Sequence, residues 1–261
     1  MAEGSDFYEK AYSSVDADPQ RRVRLETYDE DLGQLGWSEA GEAREFASWL
    51  GSGMASVLDV ACGSGGISAL LASELDASVT GVDIDPRAIA AARLREARGC
   101  DFHVVDANDP LPFRDGSFDA VFSNDSVHHL RDRGAVLKEW ARLLSPGGRV
   151  LYTEALVLTG PVSNDEVLRR TFMGFFVLTP PGANERAIEE AGLILNRAED
   201  RSDAVVRLGA RMRAVRERYR SEILLLEGEE TFERFQAFLD VAVSLASEGR
   251  LSRWVFLARK P

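Results

Sequence analysis

The sequence predicts an α/β protein built on a doubly wound, mostly parallel sheet, with an N-terminal helical cover and a C-terminal helical insertion. Three observations carry this. Between residues 55 and 155 short apolar runs alternate with helical segments, the pattern of strands joined by crossover helices. Several runs end on acids or polar groups: Asp59, Asp83, Asp106 and Ser123-Asn124-Asp125. Ligands of open α/β sheets bind outside the carboxyl ends of the strands, where such residues gather. The first run also feeds a turn crowded with glycine, Ala61-Cys62-Gly63-Ser64-Gly65-Gly66, that opens a helix. Glycine there lets the backbone approach a ligand closely, and free N–H groups point at it.

The elements follow in order. Residues 1–50 read as polar helices anchored by Trp37, Phe46, Trp49 and Leu50. The acidic stretch from Tyr28 to Trp37, with Gly33 and Gly36, is either a flexible cover over a site or a surface linker. Val57–Val60 is a strand and residues 65–75 a helix. Val79–Val82 is the second strand, ending at Asp83. Asp85 and Pro86 open the next helix as cap and first residue, and Gly99 closes it. Phe102–Val105 and Phe118–Phe122 are the third and fourth strands. A helix around Val136, Leu137, Trp140 and Leu144 leads to the turn Ser145-Pro146-Gly147-Gly148 and a fifth strand, Arg149–Thr153. Beyond it, Glu185–Ala191 is a helix closed by Gly192, and a strand begins at Leu193. Val205, Leu208, Met212, Val215 and Tyr219 form one apolar stripe on an amphipathic helix. Arg207, Arg211, Arg213, Arg216, Arg218 and Arg220 lie between them and read as a solvated face rather than an anion site. A second helix carries Phe232, Phe235, Leu239 and Ala242, and Trp254–Ala258 is the last strand. The expected division is a cover over 1–50, a cofactor-binding core over 51–160, and a substrate-side insertion with the final strands over 161–261.

Composition narrows the function. The chain has 261 residues, 45% of them apolar, and a formal charge of −12. So acidic a chain is a poor partner for nucleic acid, whose phosphates supply most of the binding energy. Two cysteines, Cys62 and Cys100, point to a reducing compartment rather than a disulfide framework. The acidic start, residues 1–6, carries no secretory signal, and no run approaches the ~18 apolar residues of a membrane span. A cytoplasmic protein, monomeric or homodimeric and without a metal site, is expected.

A dinucleotide fold would place three spaced glycines after the first strand. Here an acid, Asp59, precedes the turn, and Ala61 stands where the first glycine would be. At this point the chain resembles the class I S-adenosylmethionine-dependent methyltransferases, whose first motif runs acid-x-glycine-x-glycine-x-glycine. Gly63 and Gly65 match it. Ala61 departs by one methyl, which is tolerable at ordinary dihedrals and awkward at positive φ. Later segments match in order: Gly81-Val82-Asp83, Val105-Asp106-Ala107, Leu111-Pro112-Phe113, Ser117–Val121 and Leu144–Leu151. Together they cover about residues 55 to 155.

The resemblance implies a Rossmann-like seven-stranded sheet and S-adenosyl-L-methionine as cofactor, released as S-adenosyl-L-homocysteine. It assigns cofactor binding to Asp59, Ala61, Gly63, Gly65, Asp83, Ile84, Asp106, Ala107 and Asn124. Asp83 would take the ribose diol, since a carboxylate accepts from two hydroxyls at once. The C-terminal part looks like the small-molecule branch, which includes quinone C-, sarcosine/dimethylglycine N- and sterol-type enzymes. His128 and His129, two of the three histidines, follow the fourth strand where the methyl should point, and are the candidate catalytic residues. His128 is read as facing substrate, and His129 as the more structural of the two. Tyr28, Trp37, Asp125, Phe172 and Phe176 join His128 as candidate substrate contacts. The aromatic segment around Phe172 and Phe176 could line an apolar pocket, cage a cationic amine, or simply pack. The competing readings are a nicotinamide-dependent oxidoreductase and a non-catalytic cofactor-binding protein.

Overall fold

Alternate side chains of one strand face two separate cores, and this sets the architecture. Val57 of β1 (Ser56–Val60) packs with Phe46, Leu50, Leu71 and Phe122 on one side of the sheet. Leu58 and Val60 pack with Val121, Trp140, Tyr152 and Phe256 on the other. A strand buried on both faces is apolar on both, and β1 is so apart from Ser56 and Asp59. The computed structural model describes residues 5–261. The first four residues of the acidic start lie outside them.

Six further strands complete the sheet: β2 (Ser78–Asp83), β3 (Cys100–Val104), β4 (Phe118–Ser123), β5 (Leu144–Leu158), β6 (Ile194–Asp200) and β7 (Leu251–Arg259). Their order is β3-β2-β1-β4-β5-β7-β6, with β7 antiparallel to both neighbours and the other pairings parallel. The chain leaves β1 toward β2 and returns to β4 on its other side. The carboxyl ends of β1 and β4 therefore form the crevice at which such sheets bind ligands.

The crossover helices are α4 (Gly66–Leu75), α5 (Pro86–Leu94), α6 (Arg133–Leu143) and α8 (Ala183–Glu190). Asp85 caps α5 by accepting from Arg87 N–H at 2.8 Å, with Pro86 behind it as the sequence predicts. The end of α5 differs from expectation. It stops at Leu94, and Glu96, at φ 49, turns the chain well before Gly99. The turn at Ser145–Gly148 also behaves differently. It is a bulge inside β5, across which the pairing jumps from Phe118↔Leu144 to Ala120↔Arg149.

Of the remaining helices, α3 (Ala40–Leu50) packs on the sheet face beside α4, and α1 (Ser5–Ser13), α2 (Asp18–Tyr28), α7 (Asn164–Arg170), α9 (Ser202–Arg218), α10 (Arg220–Glu227) and α11 (Glu229–Ser247) cover the carboxyl edge. Val23, Tyr28 and Trp37 share one apolar cluster with Leu208, Met212, Phe232, Phe238 and Leu239. The N-terminal and C-terminal covers are thus joined by a common core. Most of the α9 arginines lie at the surface on acids, as Arg211 does on Asp29 at 2.5 Å. Arg216 corrects the reading of a solvated face. It is 4% exposed, ion-paired with Glu227 and stacked 4.4 Å over Phe235. It lies four residues after Met212, so helical geometry puts it on the apolar stripe.

Candidate active site

A cavity of about 710 Å³ opens at the carboxyl ends of β1, β2 and β4. Its floor is the glycine turn. Cys62 N–H donates to Val82 O, and Gly65 N–H to Cys62 O, each at 3.0 Å. Ala61 has φ 58, the conformation in which its methyl is awkward. A left-handed L-residue costs roughly 1–2 kcal/mol, so the turn holds Ala61 under strain. Gly65 has φ 76, and a Cβ there would come 2.7 Å from Phe102. A Cβ at Gly66 would fall into the Leu32 carbonyl, so this glycine lets the cover close onto the turn. Gly63 lines the cavity; Gly65 does not, and its part is to shape the loop. Cys62 lies in the turn as a small buried thiol, which burial pushes well above its ordinary pKa.

Asp83 is 8% exposed and accepts Gly63 N–H on Oδ2 and Asp85 N–H on Oδ1, both at 2.9 Å. Burial pushes its carboxyl upward, and the backbone amides oppose that. Two lone-pair positions remain for a pair of hydroxyls. Beside it Ile84 stands 60% exposed on the cavity wall, an apolar face with nothing on it. Asp106 and Ala107 follow on the same wall, and Asp106 Oδ1 takes the Asn108 N–H at 2.9 Å. A diol acceptor, a bare apolar face and a carboxylate edge, in that order, fit an adenosine. Asp59 is 2% exposed and accepts the Ser68 hydroxyl at 2.6 Å. Burial pushes it up to about 7, with Ser68 opposing and Asp83 adding to the rise. Asn124 reaches the cavity with its carbonyl oxygen 2.8 Å from the Ser38 hydroxyl.

The second half of the cavity lies under the cover. The segment after α2 is pinned there. Tyr28 O–H donates to Gly36 O at 2.7 Å, and the Ser64 hydroxyl to Gly33 O at 3.2 Å. Trp37 N–H donates to Asp125 Oδ2 at 2.7 Å. Trp37 and Phe176, two of the residues named from the sequence, line the cavity. Tyr28 does not, and the expectation is corrected. Its ring is 1% exposed in the cover's apolar cluster, with its hydroxyl spent on Gly36. Phe172 is corrected too, since it packs against Phe7, Phe235 and Phe238 rather than facing the cavity. Asp125 touches the cavity but has no carboxylate oxygen to spare. Oδ1 holds Arg253 Nε at 2.8 Å and lies 2.9 Å from the Thr153 hydroxyl. Burial would raise it, and Arg253, Trp37 N–H and Thr153 together hold it below the usual carboxylate range.

The two histidines differ sharply. His128 is 4% exposed and stacked on Phe176, with centroids 5.4 Å apart and planes within 6°. Its Nδ1 lies 3.5 Å from Glu154 Oε1 without a hydrogen bond, while Glu154 is ion-paired to Arg133. His129 Nδ1 is 2.9 Å from the Phe175 carbonyl oxygen. A carbonyl only accepts, so this nitrogen carries the hydrogen, and the network assigns the tautomer. Nε2 is then an acceptor, and Tyr8 O–H donates to it at 3.0 Å. Burial first, then the charges of His128 and Arg170, push His129 down to about 3 against the pull of Phe175. It is neutral at any physiological pH.

Tyr8, Tyr12, Arg170, Met173 and Phe238 also line the cavity and were not picked from the sequence. Tyr8 and Tyr12 are one helical turn apart on α1, a spacing that marks a shared face. A cation already lies against two rings of this half of the cavity. Arg170 lies 4.8 Å over Phe238 and 5.8 Å over Trp37.

A methyltransferase-domain family model matches residues 58–152, the span of the ordered motifs. The 27-O-demethylrifamycin SV methyltransferase of Amycolatopsis mediterranei (strain S699) is 30% identical over 217 residues, covering 78% of this chain and 77% of that one. This chain belongs to the S-adenosylmethionine-dependent methyltransferases. The tocopherol O-methyltransferase of Arabidopsis thaliana is 43% identical over a shorter stretch, 36% of this chain and 28% of that protein. Among solved structures, phosphoethanolamine N-methyltransferase 2 of Haemonchus contortus superposes with a TM-score of 0.81 at 21% identity, over 98% of this chain and 60% of that one. A cyclopropane synthase of Mycobacterium tuberculosis gives 0.82 at 16% identity, over 97% and 98%. At these identities the structures speak for the fold. The methyltransferase uses S-adenosylmethionine, and the nicotinamide reading is set aside. Among the described residues no helix is long and apolar enough to cross a membrane, and no group of three or more His, Cys, Asp or Glu could hold a metal.

Proposed function

We propose that the enzyme methylates a hydroxyl oxygen of a small metabolite, with Tyr8 touching the acceptor and His129 positioning Tyr8. The supporting observation is the chain Tyr8 O–H to His129 Nε2 to Phe175 O at the mouth of the fourth strand. Asp83, Ile84, Asp106 and Ala107 would hold the nucleoside, with Asp59, Ala61, Gly63 and Asn124 around the rest of the cofactor. When bound, S-adenosylmethionine supplies a methyl carbon already activated by its sulfonium.

The protein's task is then to align the acceptor, exclude water and take one proton. Alignment of this kind is worth on the order of 7–11 kcal/mol. The Trp37, Met173 and Phe176 walls provide the dry surface. Tyr8 oxygen, whose own hydrogen is committed to His129, keeps a lone pair for the acceptor O–H. As the new C–O bond formed and the methyl's bond to sulfur broke, leaving S-adenosylhomocysteine, the acceptor oxygen would become an oxonium and a strong acid. Its proton passes to Tyr8 oxygen, and the Tyr8 proton to His129 Nε2. Even a histidine held near 3 can receive a proton from so acidic a donor. His128, stacked on Phe176, shapes the wall in this scheme.

The test is release of S-adenosylhomocysteine from a panel of alcohols, phenols and amines. Tyr8→Phe should lower kcat by about 10²-fold and leave cofactor affinity within twofold. Unchanged turnover would remove Tyr8 from the chemistry, and activity confined to amines would overturn the hydroxyl assignment. We further propose a cytoplasmic protein, monomeric or homodimeric, in which residues 1–50 and 161–261 cover a cofactor core over 51–160. Free cysteines and the shared apolar cluster of the two covers support this reading.

A further inference from the structure

Four arginines are buried to within 5% exposure or less: Arg24, Arg170, Arg216 and Arg253. Three have carboxylates against them. Arg24 lies 2.6 Å from Asp31, Arg216 pairs with Glu227, and Arg253 lies 2.8 Å from both Glu42 and Asp125. Arg170 is 3% exposed, lines the cavity, and has neither an ion pair nor a hydrogen bond among the described residues. The acids whose charge reaches it are Asp125 and Glu154. Asp125 is engaged by Arg253, Trp37 N–H and Thr153, and Glu154 by Arg133 and Leu156 N–H.

No Arg170 nitrogen is among the sealed polar atoms that lack a partner, so its donors reach the cavity rather than the packed core, and a guanidinium held there with no carboxylate on it keeps part of its desolvation cost uncompensated. A folded chain keeps such a group where a partner arrives from outside. The surroundings say how it arrives. The Phe238 and Trp37 rings lie against the guanidinium at 4.8 and 5.8 Å. Rings satisfy none of the N–H donors of such a group, which stay free to meet an oxyanion, two bonds at a time where they share an edge. Both rings also line the cavity, so an apolar body attached to that anion would rest against them.

We propose that Arg170 receives an oxyanion of the methyl acceptor, a carboxylate or phosphate carried on a flat apolar body that lies against Trp37 and Phe238. This rests on the methyltransferase reading of the cavity and specifies its substrate class. It also works against acceptors whose only charge is positive, because a cation already occupies the aromatic wall.

The test uses full-length enzyme saturated with S-adenosylhomocysteine, titrated by calorimetry with 3-phenylpropionate, 3-phenylpropionamide and phenyl phosphate. The two anions separate the carboxylate from the phosphate source. At least one anion should bind tenfold or more tightly than the amide, and Arg170→Met should abolish that preference while S-adenosylhomocysteine affinity stays within twofold. Arg170→Met should also raise the melting temperature of the ligand-free protein by about 3 °C, since it removes an unpaired buried charge. Arg170→Lys, which keeps the charge without the planar fork, should fold and lose most of the preference. Failure of both anions to bind, equal binding of anion and amide, retention of the preference in Arg170→Met, or a lowered melting temperature in that variant would overturn the proposal. Absent S-adenosylhomocysteine binding would instead count against the site reading itself, so the two failures are told apart in one titration.

Discussion

Arg253 Nε lies 2.8 Å from Asp125 Oδ1, joining the last strand to the loop after β4 across 128 residues of sequence. The same guanidinium reaches Glu42 of α3 through Nη1 at 2.8 Å and Nη2 at 2.9 Å. Asp125, at φ 50, also receives Trp37 N–H, and a Cβ at Gly36 would lie 2.8 Å from its carboxylate. One fully buried cation therefore fixes the cover, the rim of the cavity and β7 together. Arg253→Met should destabilise the protein by about 3–5 kcal/mol, read by urea unfolding. The double variant with Asp125→Asn should cost much less than the sum of the two singles. Additive losses would show that the contact contributes little.

Asp83 gives the second test. Its two lone-pair positions toward the cavity are those a ribose diol needs. Asp83→Ala should weaken S-adenosylmethionine binding by tenfold or more in calorimetry, with the melting temperature of the free protein changed far less. Equal affinity in the variant would count against the adenosine placement.

Asp59 carries a pH signature. Its folded pKa of about 7 lies above the ordinary carboxylate value because burial disfavours its charge. Between about pH 4 and 7 the folded protein holds a proton that the unfolded chain has released, so stability falls as pH rises through that window. Asp59→Asn should flatten this fall. The cofactor is a cation that favours the charged carboxylate, so its binding should release protons at pH 6 and tighten toward pH 8. Proton release is measured by calorimetry in buffers of different ionisation enthalpy, and its absence would separate Asp59 from cofactor binding.

Ala61→Gly tests the strain in the turn. Relief of a left-handed alanine should stabilise the fold by about 1 kcal/mol, a rise of about 2–4 °C in melting temperature. A fall would mean that the alanine methyl contributes packing worth more than the strain.

His129 predicts the shape of the rate profile. A histidine held near 3 by burial, His128 and Arg170 is neutral throughout the working range. The acid limb of kcat should therefore show no break between pH 5 and 8 from this residue. A break near 6.5 that His129→Asn removes would reverse the assignment of its tautomer and burial.

Local chemistry made the sheet and the acidic wall of the cavity legible. Strand runs, the Asp85-Pro86 cap and acids at strand ends depend on neighbours a few residues away, and Asp83 and Asp106 stand on the cavity wall where the order of motifs puts them. Arg216 was misread as solvated although its place four residues after Met212 puts it on the stripe.

The acceptor side was decided only by tertiary structure. Tyr8 meets His129 across 121 residues, and Arg170 meets Phe238 through the packing of α7 on α11. Tyr28 and Phe172 have the same chemistry as Trp37 and Phe176, yet they pack inside the cover while the other two face the cavity. Composition does not say which side of a segment faces a cavity. Nor does it say that Asp125 is neutralised by Arg253 while Arg170 has no carboxylate beside it. By itself the sequence determined the fold, the cofactor and the reaction class, because periodicity and turn chemistry are local. The balance of charges around the cavity is a sum over distant side chains, and only packing brings those within reach of one another.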